Sequence, residues 1–158
     1  TVSPLLANLL LALLWIALIG SRQPVQFGLG LLIGYAGLAV LAPLVGTAAY
    51  VRRLPRALAF AGFFFKELIL ASVRVAWDVV LPRSRRRPGV VAVPLDSRDE
   101  TEIALLAKLL TLTPGSVTLD VAADRSVLYV HTMFVDDPDA VRAEIKNGFE
   151  RRVRELLQ

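Results

Sequence analysis

The chain has no cysteine and a single histidine, His131. Disulfides, thiolate nucleophiles and cysteine-ligated metals are excluded, and a histidine-based metal centre lacks its second ligand. No lysine-bearing glycine loop, nucleophile elbow or metal-ligand run occurs. The sequence therefore offers no catalytic residue, no cofactor-binding residue and no metal site. Charge is the other scarcity: between Leu5 and Val51 only Arg22 is charged. Such a stretch belongs in lipid, because a charged side chain at the bilayer centre costs several kcal/mol and apolar ones cost nothing.

The charge that is present is unevenly placed. Residues 1–82 carry six Lys/Arg against two Asp/Glu, and a link over 83–89 adds Arg83, Arg85, Arg86 and Arg87. Residues 90–158 carry eight basic and twelve acidic side chains. The basic character thus lies beside the apolar segments, where anionic headgroups and the positive-inside rule select it. A nucleic-acid binder would carry it on the folded half, which is acidic here, so the reading is no nucleic acid. With the first half committed to lipid, the soluble half buries only a modest core and leans on a partner or on the membrane.

Residues 1–51 read as a transmembrane helical hairpin. Leu5–Gly20 is apolar apart from Asn8, and Val25–Val51 is free of charge. A span needs about 20 residues, so the first segment is short and the second ample. Gly20, Ser21, Arg22, Gln23 and Pro24 between them supply a stop, polar residues and a proline suited to a helix start. A signal peptide would need a basic leading region and a soluble domain directly after it, and neither is found. Gly28, Gly30, Gly34 and Gly37 lie close together in the second segment, and Gly30/Gly34 have the spacing at which helix backbones approach in lipid. The alternative is the ordinary frequency of glycine in membrane helices.

Residues 52–82 form a long amphipathic helix. Projected at about 100° per residue, Arg52, Arg53, Arg56, Lys66, Glu67, Arg74 and Asp78 fall within an arc of about 140°. Leu54, Leu58, Phe65, Leu68, Ile69, Val75 and Val79 occupy the other side. The helix either lies in the interface with its charges toward water or crosses as a third span with them turned into a bundle. Three arginines at one end and four at the other favour the first, since crossing would leave one cluster outside. In the three-span alternative Lys66 and Glu67, with Arg74 and Asp78, become candidates for an ion route. The plain alternative is a solvated face.

Residues 90–158 read as a small αβ domain. Val90–Leu95 is a short strand, and Glu100–Leu112 a helix with Ile103, Leu106, Ala107 and Leu110 on one side, ended by Thr113-Pro114-Gly115. Ser116–Val121 and Ser126–Phe134 alternate as strands around a turn at Ala122–Arg125. Asp136-Asp137-Pro138 starts a helix running to about Leu157, with the stripe Val141, Ile145, Phe149, Val153 and Leu156/Leu157. This β-α-β-β-α order is that of a ferredoxin-like unit without its last strand, with the third strand central and an edge open to the membrane or to a neighbouring protein. His131 is structural in this reading, and Asp136, Asp137 and Asp139 are helix-start charges rather than a metal cluster.

Several stretches resemble the E-type component of the multisubunit Mrp-type sodium/proton antiporters: Arg87 to Pro94, Leu105 to Gly115, Leu128 to His131, and Phe65-Lys66-Glu67-Leu68-Ile69. The resemblance covers essentially the whole chain. It implies a multi-pass protein of the bacterial plasma membrane with its C-terminal domain in the cytoplasm. It also implies companion subunits that exchange sodium for protons at the expense of the proton-motive force. The expected role is that of a non-enzymatic accessory subunit that supports cation efflux. Its partners would be the other antiporter subunits and the lipid bilayer, met by the glycine face and by the charged residues from Arg52 to Arg87. The alternative is an autonomous membrane-anchored domain that binds or senses a cytoplasmic ligand.

Overall fold

The computed structural model describes residues 3–20, 23–80 and 87–157. It is helical with one small antiparallel sheet, and it divides into two compact units, Thr1–Ala57 and Leu58–Gln158.

In the first unit, α1 (Pro4–Ile19) begins where Ser3 Oγ accepts the Leu6 N–H at 3.3 Å. It ends at Gly20, whose φ of 70° suits a residue without Cβ. Helix α2 (Pro24–Val40) starts on Pro24. The expected turn residues Ser21 and Arg22 lie outside the described residues.

The second apolar segment does not form one ample helix, contrary to its reading as a span running to Val51. Helix α2 stops at Val40, a four-residue α3 (Ala42–Val45) follows, and Gly46 turns the chain at φ 70°. The next helix, α4 (Ala48–Val80), begins earlier than the charge pattern suggested. Pro43 and Gly46 explain the break, one lacking an N–H and the other taking the left-handed conformation. Thr47 Oγ1 donates to the Leu38 carbonyl at 2.9 Å, giving the end of α2 a partner it would otherwise lack. The 16 residues of α1 and 17 of α2 rise roughly 24–26 Å, against about 30 Å of hydrocarbon. Among the described residues no helix is both long and apolar enough to cross a membrane.

The second unit contains the 58–80 part of α4, then β1 (Gly89–Pro94), α5 (Glu100–Leu112), β2 (Ser116–Val121) and β3 (Val127–Thr132). The sheet order is β1-β3-β2, both pairings antiparallel, with β3 in the middle and a register shift between Thr118 and Asp120. Helix α5 is capped by Asp99, which accepts the Thr101 and Glu102 N–H groups. Its Leu106, Leu109 and Leu110 meet Val91, Val93, Leu128 and Val130 of the sheet in the core. Alternation puts Val90, Val117, Tyr129 and His131 on the other face of the sheet.

The terminal helix is not regular. It runs as α6 (Pro138–Glu144), a π-helical turn over Ile145–Glu150, and α7 (Arg151–Leu157). Its apolar residues recur every four positions, which drifts out of phase with 3.6 residues per turn. The wider i→i+5 turn restores the phase, so that Ile145, Phe149 and Val153 are all buried. The same helix closes the outer edge of β1. Arg142 Nε donates to the Ala92 carbonyl at 2.9 Å and Lys146 Nζ to that of Pro94 at 3.0 Å. Side chains of this chain thus take two acceptors on the β1 edge of the sheet, whose other edge strand is β2.

Candidate functional site

Helices α1 and α2 meet where their side chains are smallest. Asn8 and Ala12 on α1, and Gly30, Gly34 and Leu38 on α2, are buried. A Cβ added at Gly30 would stand 3.0 Å from the Ala12 Cα and 3.1 Å from its carbonyl oxygen, and one at Gly34 would collide with Asn8 Oδ1. Gly28 and Gly37 have nothing within 4 Å of such a Cβ, so they take no part in this approach.

Polar groups join this pair to the first turns of α4. Asn8 Nδ2 donates to Tyr50 Oη at 2.9 Å, and the Tyr35 and Tyr50 rings meet edge to face with centroids 6.2 Å apart. Pro55 lies inside α4 and has no N–H for the carbonyl of Val51, four residues earlier. Tyr35 Oη donates to that carbonyl at 2.8 Å. Arg52, Arg53 and Arg56 on the same turns are exposed.

From Leu58 onward α4 is amphipathic, but its charged arc is not simply a solvated face, which corrects the expectation for Glu67 and Asp78. Asp78 is only 7% exposed and Glu67 is half-buried, whereas Lys66 and Arg74 are exposed. Phe60 and Phe63 share the arc beside Glu67. With Phe64 they pack on the core of the αβ unit. The Phe63 ring meets Phe149 edge to face with centroids 5.4 Å apart, and the Arg152 guanidinium carbon lies 3.9 Å from its centre. Gly115, at φ 89°, brings the turn after α5 beneath Val75. Between these contacts a cleft of about 90 Å³ is lined by Glu67, Arg74, Ser116, Thr132 and Glu144 among others. Aromatic residues inside a charged arc were the sequence signal for a protein contact there.

Part of the apolar surface of α4 is uncovered, although Leu68 and Val75 are half-buried. Leu58, Phe65, Ile69, Val73, Trp77 and Val80 are all exposed. Arg87 pairs with Asp136 at 3.7 Å in an exposed contact, and its backbone bonds Met133 and Val135. Arg83, Arg85 and Arg86 lie outside the described residues.

A second charge cluster, which the sequence pattern did not suggest, closes the end of β1. Buried Glu150 accepts the Asp96 N–H through Oε1 at 2.7 Å. Lys146 bonds the Asp96 carboxylate, and Arg154 Nη2 lies 3.4 Å from it. The Lys146 hydrogen bond, with the charges of Lys146 and Arg154, holds the Asp96 carboxyl below the usual aspartate value. Spacing alone did not point to this cluster, because the π-helical turn sets which residues of the last helix face Asp96.

The family described as Na+/H+ ion antiporter subunit matches residues 8–156. A curated relative, the E-type Na(+)/H(+) antiporter subunit of Alkalihalophilus pseudofirmus, is 34% identical over 154 residues, covering 98% of each chain. The protein of the same name in Bacillus subtilis is 32% identical over 152 residues, 96% of each chain. Among solved structures, a chain of the Mrp complex from Dietzia is similar with a TM-score of 0.50 and 31% identity, covering 65% of this chain and 96% of that one. A chain of the membrane-bound sulfane sulfur reductase, an archaeal respiratory membrane complex, is similar with a TM-score of 0.59 and 25% identity, covering 97% and 98%.

Proposed function

The chain belongs to the family of E-type Na+/H+ antiporter subunits and is a component of a multisubunit sodium/proton antiporter complex of the membrane; on that premise we propose that its own part is structural support. The other subunits of the complex are its partners. In this reading the α1–α2 hairpin, joined through Gly30 and Gly34, sits in the bilayer of a bacterial plasma membrane. Helix α4 lies along the interface, and the αβ unit, a ferredoxin-like unit without its last strand, hangs from the charged side of α4 in the cytoplasm.

The observation that carries the reading is the way α4 buries itself. Phe60, Phe63 and Phe64, on or beside its charged arc, pack on the core of the αβ unit, while Leu58, Phe65, Ile69, Val73 and Val80 are left exposed. A helix in water would do the reverse. Full-length similarity to a chain of a respiratory complex, as well as to antiporter subunits, supports a role that does not depend on one transported ion. It also makes an autonomous ligand-sensing domain the less favoured reading.

The test is to tag the chain in its host, extract it in mild detergent and identify what migrates with it. Co-migration with large polytopic antiporter subunits is the expected outcome, and migration alone would discredit the role. The chain is free of cysteine, so single cysteines replacing Gln23 and Ser97 report topology by impermeant labelling. Labelling from opposite sides of the membrane fits a two-span hairpin, and labelling from the same side fits a third crossing.

A further inference from the structure

Helix α4 carries charge of both signs beyond Leu58, but it does not present both equally. Of its two acids in this stretch, Asp78 is buried and Glu67 is half-buried in the cleft. The two bases, Lys66 and Arg74, are exposed. Folding therefore withdraws Asp78 and part of Glu67 from solvent, while Lys66 stands exposed beside apolar surface and Arg74 at the rim of the cleft. Lys66 borders the apolar face directly, one residue from Phe65 and three from Ile69. Trp77, 61% exposed, stands near the end of the helix, and four further arginines follow in the sequence at 83, 85, 86 and 87.

We infer that the outward face of α4 binds anionic phospholipid, with Leu58, Phe65, Ile69, Val73 and Trp77 seated at the acyl boundary and Lys66 and Arg74 reaching phosphate-level negative charge. This deepens the in-plane reading of α4 and rests on it. The chemistry matches on both counts. A broad apolar stripe with an aromatic anchor supplies burial at the headgroup level, and flanking bases add attraction to anionic lipid. A neutral lipid would satisfy the apolar stripe but give no account of the exposed bases, Lys66 and Arg74, beside it. A companion protein helix would not require a margin of one sign.

The experiment uses the intact complex carrying this chain with Trp77→Cys as its sole cysteine, labelled with an environment-sensitive fluorophore before assembly. The complex is reconstituted in vesicles of phosphatidylglycerol and phosphatidylcholine in which one lipid at a time is brominated on its acyl chains. Quenching by brominated phosphatidylglycerol should exceed quenching by brominated phosphatidylcholine at least about twofold, as expected for one or two bases near the surface. Combining Lys66→Gln with Arg74→Gln should abolish the difference while total quenching persists. Equal quenching by the two lipids would overturn the anionic preference and leave the in-plane helix standing. Absence of quenching by either would overturn both, and assign the face to a companion protein.

Discussion

The hydroxyl of Tyr35 donates to the carbonyl of Val51 at 2.8 Å, the acceptor that Pro55 leaves without its helical N–H. Helix α4 can therefore carry a proline in its third turn without a bare carbonyl in an apolar setting. Tyr35→Phe should destabilise the chain by about 1 kcal/mol, the cost of an acceptor left unpaired. Pro55→Ala restores the N–H, so in that background the Tyr35→Phe penalty should shrink markedly. Thermal unfolding of the four proteins in detergent checks this as a double-mutant cycle, and additive effects would contradict the pairing.

The glycines of α2 should differ sharply on substitution. Gly30→Ala sets a methyl against the backbone of Ala12, which moves only if the helices part, at a cost of about 1–3 kcal/mol. Gly34→Ala meets the side chain of Asn8 instead, so Asn8→Ala should partly rescue it. Gly28→Ala and Gly37→Ala should be close to neutral. Complex yield on native gels, together with melting temperature, tests the order.

Phe63→Ala should release α4 from the αβ unit, because the ring is wedged between Phe149 and Arg152. A loss of about 2 kcal/mol is expected, while Arg152→Gln costs under about 1 kcal/mol. Limited proteolysis should then cut within 58–80 faster in the Phe63 variant alone.

The acid response of the αβ unit should run through Asp96. Lys146 and Arg154 favour its charged form, so its folded-state proton affinity lies below that of the unfolded chain. Its stabilisation is present above the ordinary aspartate value and is lost as pH falls through the lowered folded value. The carboxylate is half exposed, which limits the effect to about 0.5 kcal/mol. Asp96→Asn should therefore lower stability near neutrality and match the parent chain in strong acid, as followed by denaturant titration at both extremes.

Much of this architecture was legible in the sequence where local chemistry decides it. Pro24 starts a helix, Gly20 ends one, and α5 runs from Glu100 to Leu112 up to a Thr-Pro-Gly stop. The central position of β3 followed from the order of strands and helices. What escaped depends on contacts distant in sequence. The break at Gly46 separates apolar residues from apolar residues, so hydropathy does not register it. The π-helical turn exists to bring Ile145, Phe149 and Val153 onto the core together. The half-burial of Glu67 goes with Phe60 and Phe63, two aromatics inside an arc whose charges dominate its pattern.

The sealing of β1 by Arg142 and Lys146 bears on the life of the chain before it finds its complex. A protein synthesised apart from its companions must wait, and a bare strand edge would invite the next copy to stack on it. With the Ala92 and Pro94 carbonyls already taken, β1 offers a stacking copy fewer free acceptors along that edge.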